Sequence, residues 1–146
     1  NWLQNPTTVK PAIILMTVWK GLGYSMLLYL AAIQSVPKTF YEAAELDGAN
    51  PRQKLWHITM PMMASSITIN VITTTIAGFK AYELPFNISQ GMPGKSTLLM
   101  TQRIYFFGFQ DYDFGLGSAL SVFLLLIIAA ISLIQLIYLK KKEDIY

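Results

Sequence analysis

The stretch from Leu116 to Leu139 constrains the fold most, because it is apolar almost throughout and contains no charged residue. A helix that crosses the hydrocarbon core of a bilayer needs about 20 mostly apolar residues. Two further segments of suitable length precede it, and the second of them is diluted by Ser, Thr and Asn. We therefore predict three transmembrane helices, at about residues 11–33, 58–79 and 116–139, with Pro11 at the start of the first.

The composition agrees with a membrane protein. Charged residues make up 13% of the 146 residues and hydrophobic residues 53%, whereas soluble domains carry about 25% charged residues. The chain has no cysteine and one histidine, so neither a metal site nor a cofactor is predicted. We predict an all-α, polytopic helical membrane protein. Because the chain starts at Asn1, we expect it to be the C-terminal part of a longer polypeptide.

Lysine and arginine residues near the span ends predict the orientation. Three lysines, Lys140–Lys142, follow the last span, and three basic residues lie between the first two spans. On the other side, the basic residues are spread over longer segments. We therefore place a loop at about residues 36–57 and the C-terminus in the cytoplasm, and a loop at about residues 80–115 outside it.

The outer loop contains two notable patterns. Ser96–Phe109 has apolar residues at helical spacing and many aromatic rings. It could lie in the membrane interface or pack as an amphipathic helix on the rim of the bundle. Ser89–Ser96 approaches the phosphate-binding pattern G-x-x-x-x-G-K-[ST], but Ser89 replaces the first glycine and the loop is predicted to lie outside. We therefore predict no ATP site and no enzyme activity in this chain.

Residues Tyr41–Pro61, here called the polar segment, are the most polar continuous stretch of the chain. Thr39, which precedes the polar segment, and Glu42, which lies within it, have the spacing of a capping box, with Thr39 as the N-cap of a first helix. Gly48 fits the left-handed residue that commonly follows a helix C-terminus. The polar segment is therefore predicted to begin with a short helix that ends in a sharp turn.

A second helix is predicted directly after that turn. Asn50 suits an N-cap, Pro51 suits the first helical position, and Gln53 has the position that completes a capping box. Two helices around a glycine turn also outline a DNA-binding helix-turn-helix. The basic residues of the segment are offset by three acidic ones, and the second helix runs into a predicted span, so no nucleic-acid binding is predicted. A protrusion that docks on a partner and a loop that only joins two spans both remain open.

At this point the chain resembles the permeases of importer-type ABC transporters. Glu42-Ala43-Ala44 is followed after three residues by Gly48, and after nine more by I-T-M-P, in which Met60 replaces the usual leucine of the EAA motif. The stretches VWKGLGYSMLLYLAAIQSVPKTFYEAAELDGAN, SQGMPGKST and IYFFGF are similar to permeases of carbohydrate importers of the maltose and glycerol-phosphate type. Such families usually show Gly-Gly-Pro in the outer loop, where this chain has Gly91-Met92-Pro93.

The resemblance implies a role for each part of the chain. The chain would be the C-terminal part of one transmembrane domain of a carbohydrate importer in a bacterial inner membrane. A separate cytoplasmic ATPase, a second related permease and an extracytoplasmic solute-binding protein would be its partners. Importers of non-sugar solutes and structural or assembly membrane proteins are the alternatives. The cytoplasmic coupling helix would dock on the ATPase through Glu42, Ala43, Ala44, Asp47 and Gly48.

Polar residues inside the predicted spans are candidates for the substrate pathway. In the first span they recur at three- and four-residue spacing and so share one face. Tyr24 could stack on a sugar ring, and Lys20 is expected to face a wet or polar interior or to snorkel outward. Helix–helix packing is the alternative for each of them. The candidates are Thr17, Lys20, Gly21, Tyr24, Asn70 and Thr74.

Overall fold

The computed structural model describes residues 5–91 and 95–143. The regular elements in those residues are helical, which confirms the all-α part of the predicted fold class. Two π-helical turns, Leu55–Thr59 and Phe106–Gln110, interrupt the α-helices. The α-helices are α1 (Pro6–Gln34), α2 (Lys38–Leu46), α3 (Pro51–Lys54), α4 (Met60–Met62), α5 (Ala64–Phe79), α6 (Glu83–Ser89), α7 (Met100–Tyr105) and α8 (Phe114–Glu143).

The first helix begins earlier than its proline suggested. Pro6 takes the first helical position, and the Asn5 side chain accepts a hydrogen bond from the Thr7 amide at 3.0 Å. Pro11 lies inside α1, so the prediction that it starts the helix is wrong. Because proline lacks an N–H, the Thr7 carbonyl has no amide partner at position 11. Thr7 is exposed, so that carbonyl lies close to the surface of the chain.

The segment predicted as the second span is interrupted. The π-helical turn Leu55–Thr59 leads into α4, which ends at Met62 with Met63 as its C-cap, and α5 begins at Ala64. The helical stretches Pro51–Met62 and Ala64–Ser89 are bent by 65° at this break. Pro61 provides the physical cause, because it removes a backbone donor and its ring crowds the carbonyl of His57.

Among the described residues, two or three helical stretches are candidate membrane spans by length and composition. Thr7–Gln34 and Phe114–Lys141 are long and apolar enough to cross a membrane, and the bent pair makes a third if it counts as one span. Both long helices expose large apolar side chains, including Trp19 and Leu125. A helix that is apolar on its outer faces needs lipid or another protein segment to cover it.

Residues 80–115, the predicted outer loop, are here called the outer segment. In this segment α6 and α7 contact each other through aromatic rings. The ring centroids of Phe86 and Tyr105 lie 5.7 Å apart, and those of Tyr82 and Phe86 lie 5.0 Å apart. Gln102 is fully buried, and its Oε1 accepts a hydrogen bond from the Leu99 amide at 3.1 Å. The outer segment thus has its own packed interior. Met92, Pro93 and Gly94, which belong to the outer-loop resemblance, lie outside the described residues.

The chain divides into two compact units. One comprises the described residues of Asn1–Gly21 and Thr74–Leu133, and the other those of Leu22–Thr73 and Ile134–Tyr146. The outer segment belongs to the first unit, and the whole polar segment belongs to the second.

The first unit contains a close contact between two glycines, which gives a testable prediction. A Cβ added at Gly117 would lie 3.2 Å from the Cα and the N of Gly108. We expect Gly117→Ala to lower the free energy of unfolding by about 1–3 kcal/mol, because the backbone at Gly108 must move. Thermal unfolding of the purified protein measures the change. Gly78→Ala is the matched control, since nothing lies within 4 Å of its added Cβ, and equal stability of the two variants would contradict the prediction.

Candidate functional site

The first helix of the polar segment starts one residue before Thr39. Pro37 is the N-cap of α2, with φ −60° and ψ 133°, and no side chain caps this end. The predicted capping box of Thr39 and Glu42 is therefore wrong, because both residues lie inside the helix. The extended backbone of Pro37, immediately before Lys38, fixes the boundary and leaves Thr39 in the first turn, where it cannot act as an N-cap.

The turn that follows α2 matches its prediction. Gly48 has φ +77°, a conformation that costs a residue with a Cβ. The Gly48 amide donates to the Glu45 carbonyl at 3.0 Å, and the Ala49 amide donates to the Ala44 carbonyl at 2.9 Å. These two hydrogen bonds form a Schellman motif, which satisfies carbonyls at the end of the helix. The predicted left-handed glycine is confirmed.

The start of the second helix also matches its prediction. The Asn50 side chain accepts a hydrogen bond from the Gln53 amide at 2.9 Å, and the Gln53 side chain accepts one from the Asn50 amide at 2.8 Å. Pro51 occupies the first helical position. The predicted capping box at Asn50 is confirmed, so the helix–turn–helix shape of the polar segment is fixed by its own short-range hydrogen bonds.

The polar segment presents these residues on its surface. Glu42, Ala43, Asp47 and Gly48 are exposed, and Ala44 is half-buried. Next to them an apolar side chain, Leu46, is 90% exposed. An open groove of about 330 Å³ lies beside the turn. Its lining includes Ala44, Asp47, Gly48, Gln53 and His57. Small residues and an exposed leucine around a groove are suited to contact with another protein surface.

The pathway candidates of the first unit include a lysine with an acidic partner. The Lys20 Nζ lies 3.0 Å from the Glu83 Oε2, and these side chains are 63% and 76% exposed. The Thr17 hydroxyl instead donates to the Ile13 carbonyl of its own helix at 2.7 Å. Gly21 and Thr74 are exposed. Sequence reasoning missed Glu83, although it is the only acidic residue between Asp47 and Asp111.

The candidates of the second unit differ in burial. Tyr24 is exposed, whereas Asn70 is 7% exposed. The Asn70 side-chain amide donates to the Tyr29 hydroxyl at 2.8 Å, and its oxygen accepts from the Ser25 hydroxyl at 3.2 Å. These hydrogen bonds join α5 to α1 and are what the packing alternative expects. Ser25 and Tyr29 were not predicted, because periodicity marks a polar face without identifying its partner.

Metal chemistry finds no support in the described residues. Within residues 5–91 and 95–143, His, Cys, Asp and Glu side chains form no group of three or more that could hold a metal ion. His57 is tied to its own helix, since its Nδ1 lies 3.0 Å from the Gln53 carbonyl oxygen.

Comparison with known proteins identifies similar permeases, among them AmyD and AraP. The chain is 33% identical over 144 residues to the probable starch degradation products transport system permease protein AmyD of Thermoanaerobacterium thermosulfurigenes, covering 99% of this chain and 49% of AmyD. It is 39% identical over 137 residues to the arabinooligosaccharides transport system permease protein AraP of Halalkalibacterium halodurans, covering 92% of this chain and 43% of AraP. The chain therefore spans about half the length of these relatives.

A solved structure and a protein family match the chain as well. The bacterial alginate ABC transporter, in complex with an alginate pentasaccharide-bound periplasmic protein, contains a chain with a TM-score of 0.80 and 25% identity. That match covers 92% of this chain and 47% of the transporter chain. The family described as binding-protein-dependent transport system inner membrane component matches residues 1–143. With its helical fold and its EAA-type polar segment, the chain belongs to this family of inner membrane transport components.

Proposed function

We propose that the chain is part of the permease subunit of an ATP-driven ABC importer for a carbohydrate. The stiff, exposed helix–turn–helix of the polar segment carries the proposal, because it has the EAA spacing and is closed by hydrogen bonds on both sides of Gly48. The names of AmyD and AraP, which refer to starch degradation products and arabinooligosaccharides, support a carbohydrate substrate.

In this proposal α2 is the coupling helix. Glu42, Ala43, Ala44, Asp47 and Gly48 contact a separate cytoplasmic ATPase, whose closure moves α2. The permease itself hydrolyses no ATP. The exposure of these residues, and of Leu46 beside them, supports a protein contact at this surface. The spans would lie at about residues 11–33, 58–79 and 116–139, with the polar segment and the C-terminus in the cytoplasm.

The proposal includes two further partners. A second, related permease completes the pore, and it is one of the surfaces, with lipid and the rest of the full-length protein, that can cover the exposed apolar side chains of the long helices. A solute-binding protein delivers substrate outside the membrane, as a periplasmic protein is bound to the alginate transporter. The candidate pathway residues are Thr17, Lys20, Gly21, Tyr24, Asn70 and Thr74.

Co-purification combined with transport tests this function. The full-length protein, purified from its native membrane, should carry an ATPase and a second permease, and reconstituted vesicles should import labelled oligosaccharides when ATP is supplied. Non-sugar solutes serve as the comparison set. Import of a non-sugar solute alone would change the substrate class, and a complex without an ATPase would favour a structural or assembly role.

Tyr24 allows a direct test of the pathway. We expect Tyr24→Ala to weaken the apparent affinity for the imported oligosaccharide about three- to tenfold, because an exposed ring in the pathway can stack on a sugar face. Uptake measured over a range of substrate concentrations gives this affinity. Tyr138→Ala, at an exposed tyrosine of α8, is the matched control. Unchanged affinity and selectivity in Tyr24→Ala would assign the residue to packing.

A further inference from the structure

A partly buried hydroxyl pair joins α2 to the helical stretch that follows the turn. The Tyr41 hydroxyl lies 2.8 Å from the Thr59 Oγ1, and Thr59 is 8% exposed. The Thr59 hydroxyl also donates to the Lys54 carbonyl at 3.4 Å. Either hydroxyl of the Tyr41–Thr59 pair can be the donor, and with the Lys54 carbonyl the groups form a short chain of polar contacts.

An ion pair joins the same two elements at a second point. The Lys54 Nζ lies 2.7 Å from the Glu45 Oε1, and the lysine side chain is only 17% exposed. Tyr41 and Glu45 are four residues apart and so lie on the same face of α2. Two contacts one helical turn apart, together with the turn at Gly48, connect α2 to the helical stretch that follows it; the ion pair is the weaker of the two, because the Glu45 side chain is 66% exposed.

Thr59 has a special position in the chain. It is the last residue of the π-helical turn Leu55–Thr59, and π-helical turns are rare and often mark functional sites. It is followed by Pro61 and by the break at Met63. A displacement of α2 that pulls on Thr59 therefore acts directly on the first arm of the bent helix pair, close to its break, without having to pass through the turn at Gly48.

We propose that the Tyr41–Thr59 hydroxyl pair transmits the movement of α2 to the bent helix pair, with Tyr41 acting as a positioning residue. The inference rests on the proposed function, in which α2 is moved by an ATPase. Tyr41 does not need to touch the ATPase or the substrate. Its hydroxyl keeps α2 in contact with the π-helical turn, so that the two elements move together.

The test uses the full-length transporter with its ATPase and second permease, reconstituted in vesicles. For each variant, ATP hydrolysis and oligosaccharide uptake are measured on the same preparation. Tyr41→Phe removes one hydroxyl and keeps the ring, and we expect uptake per ATP hydrolysed to fall about three- to tenfold, the population change that one hydrogen bond can support. ATP hydrolysis and the composition of the complex should stay unchanged.

Three further variants separate transmission from folding. Thr59→Val should reproduce the loss, Thr59→Ser should retain the coupling of the wild type, and the double variant Tyr41→Phe/Thr59→Val should be no worse than the worse single variant. Tyr138→Phe is the control for loss of an exposed tyrosine hydroxyl.

Each outcome decides the inference. Wild-type uptake per ATP in Tyr41→Phe overturns the Tyr41–Thr59 contact as a transmitter while the proposed function stands. Loss of the complex or of ATP hydrolysis along with uptake also overturns it, in favour of a purely structural hydrogen bond. A wild-type complex that imports nothing on addition of ATP overturns the proposed function, and the inference with it.

Discussion

Gly48→Val is expected to abolish ATP-driven uptake by the full-length transporter. Gly48 has φ +77°, and a β-branched residue in that conformation costs more than the roughly 1–2 kcal/mol of a left-handed residue with a simple Cβ. No atom of this chain lies within 4 Å of an added Cβ, so inside the permease the effect comes from backbone strain and not from a clash. Relief of the strain breaks the hydrogen bonds from Gly48 and Ala49 and reorients α2. Uptake, ATP hydrolysis and co-purification of the ATPase measure the loss.

Gly48→Asn is the matched control for this prediction. Asparagine tolerates the left-handed region far better than valine, and no atom of this chain lies within 4 Å of an added Cβ. We expect Gly48→Asn to keep most of the uptake and to retain the ATPase. Equal uptake in the valine and asparagine variants would show that the conformation of the turn does not matter for transport.

The turn of the polar segment could be predicted because its determinants are local. Gly48, Asn50 and Gln53 are read within a few residues of chain, and the same hydrogen bonds form whatever the distant packing does. The start of α2 was missed for a related reason. Thr39 and Pro37 are both plausible N-caps by sequence and lie only two residues apart. In the structure the extended backbone of Pro37 sets the start of α2.

The partners of the polar residues inside the spans could not be predicted in the same way. Lys20 and Glu83 are 63 residues apart in sequence, and Tyr29 and Asn70 are 41 apart. Periodicity places a polar side chain on one face of its own helix but does not identify the helix opposite. The break at Met63 could be predicted only in part. Pro61 signals a distortion, but the size of the 65° bend depends on packing beyond the proline.

The family match and the local geometry answer different questions. The match of residues 1–143 establishes which family the chain belongs to. It does not assign individual residues, and the burial of Asn70 beside Tyr29 illustrates the difference. A polar residue in a span can line a pathway or join two helices, and the hydrogen bonds of Asn70 favour the second role. Its assignment to the substrate pathway therefore needs a transport measurement.

Reversal of the charge at Glu83 is expected to cause the second large loss of uptake. Lys20 lies at the midpoint of α1, and an unpaired lysine at the centre of a span costs about 3 kcal/mol. Glu83→Lys removes the carboxylate that lies 3.0 Å from the Lys20 Nζ and adds a second cation beside it. We expect uptake to fall at least about tenfold, which corresponds to about 1.4 kcal/mol. Initial rates in cells, normalised to the amount of permease in the membrane, measure the effect.

The double variant Lys20→Glu/Glu83→Lys separates the ion pair from each charge alone. It restores opposite charges at the same two positions, so most of the uptake should return if the pair is what Lys20 requires. Lys80→Glu, in the same outer segment, is the control for a charge reversal at another exposed residue. A double variant as impaired as Glu83→Lys would instead mean that Lys20 or Glu83 acts individually, on substrate or on a partner subunit. The exposure of both side chains, 63% and 76%, makes such a contact physically accessible, and only the exchange of the two charges distinguishes it from a pair that neutralises a lysine within a predicted span.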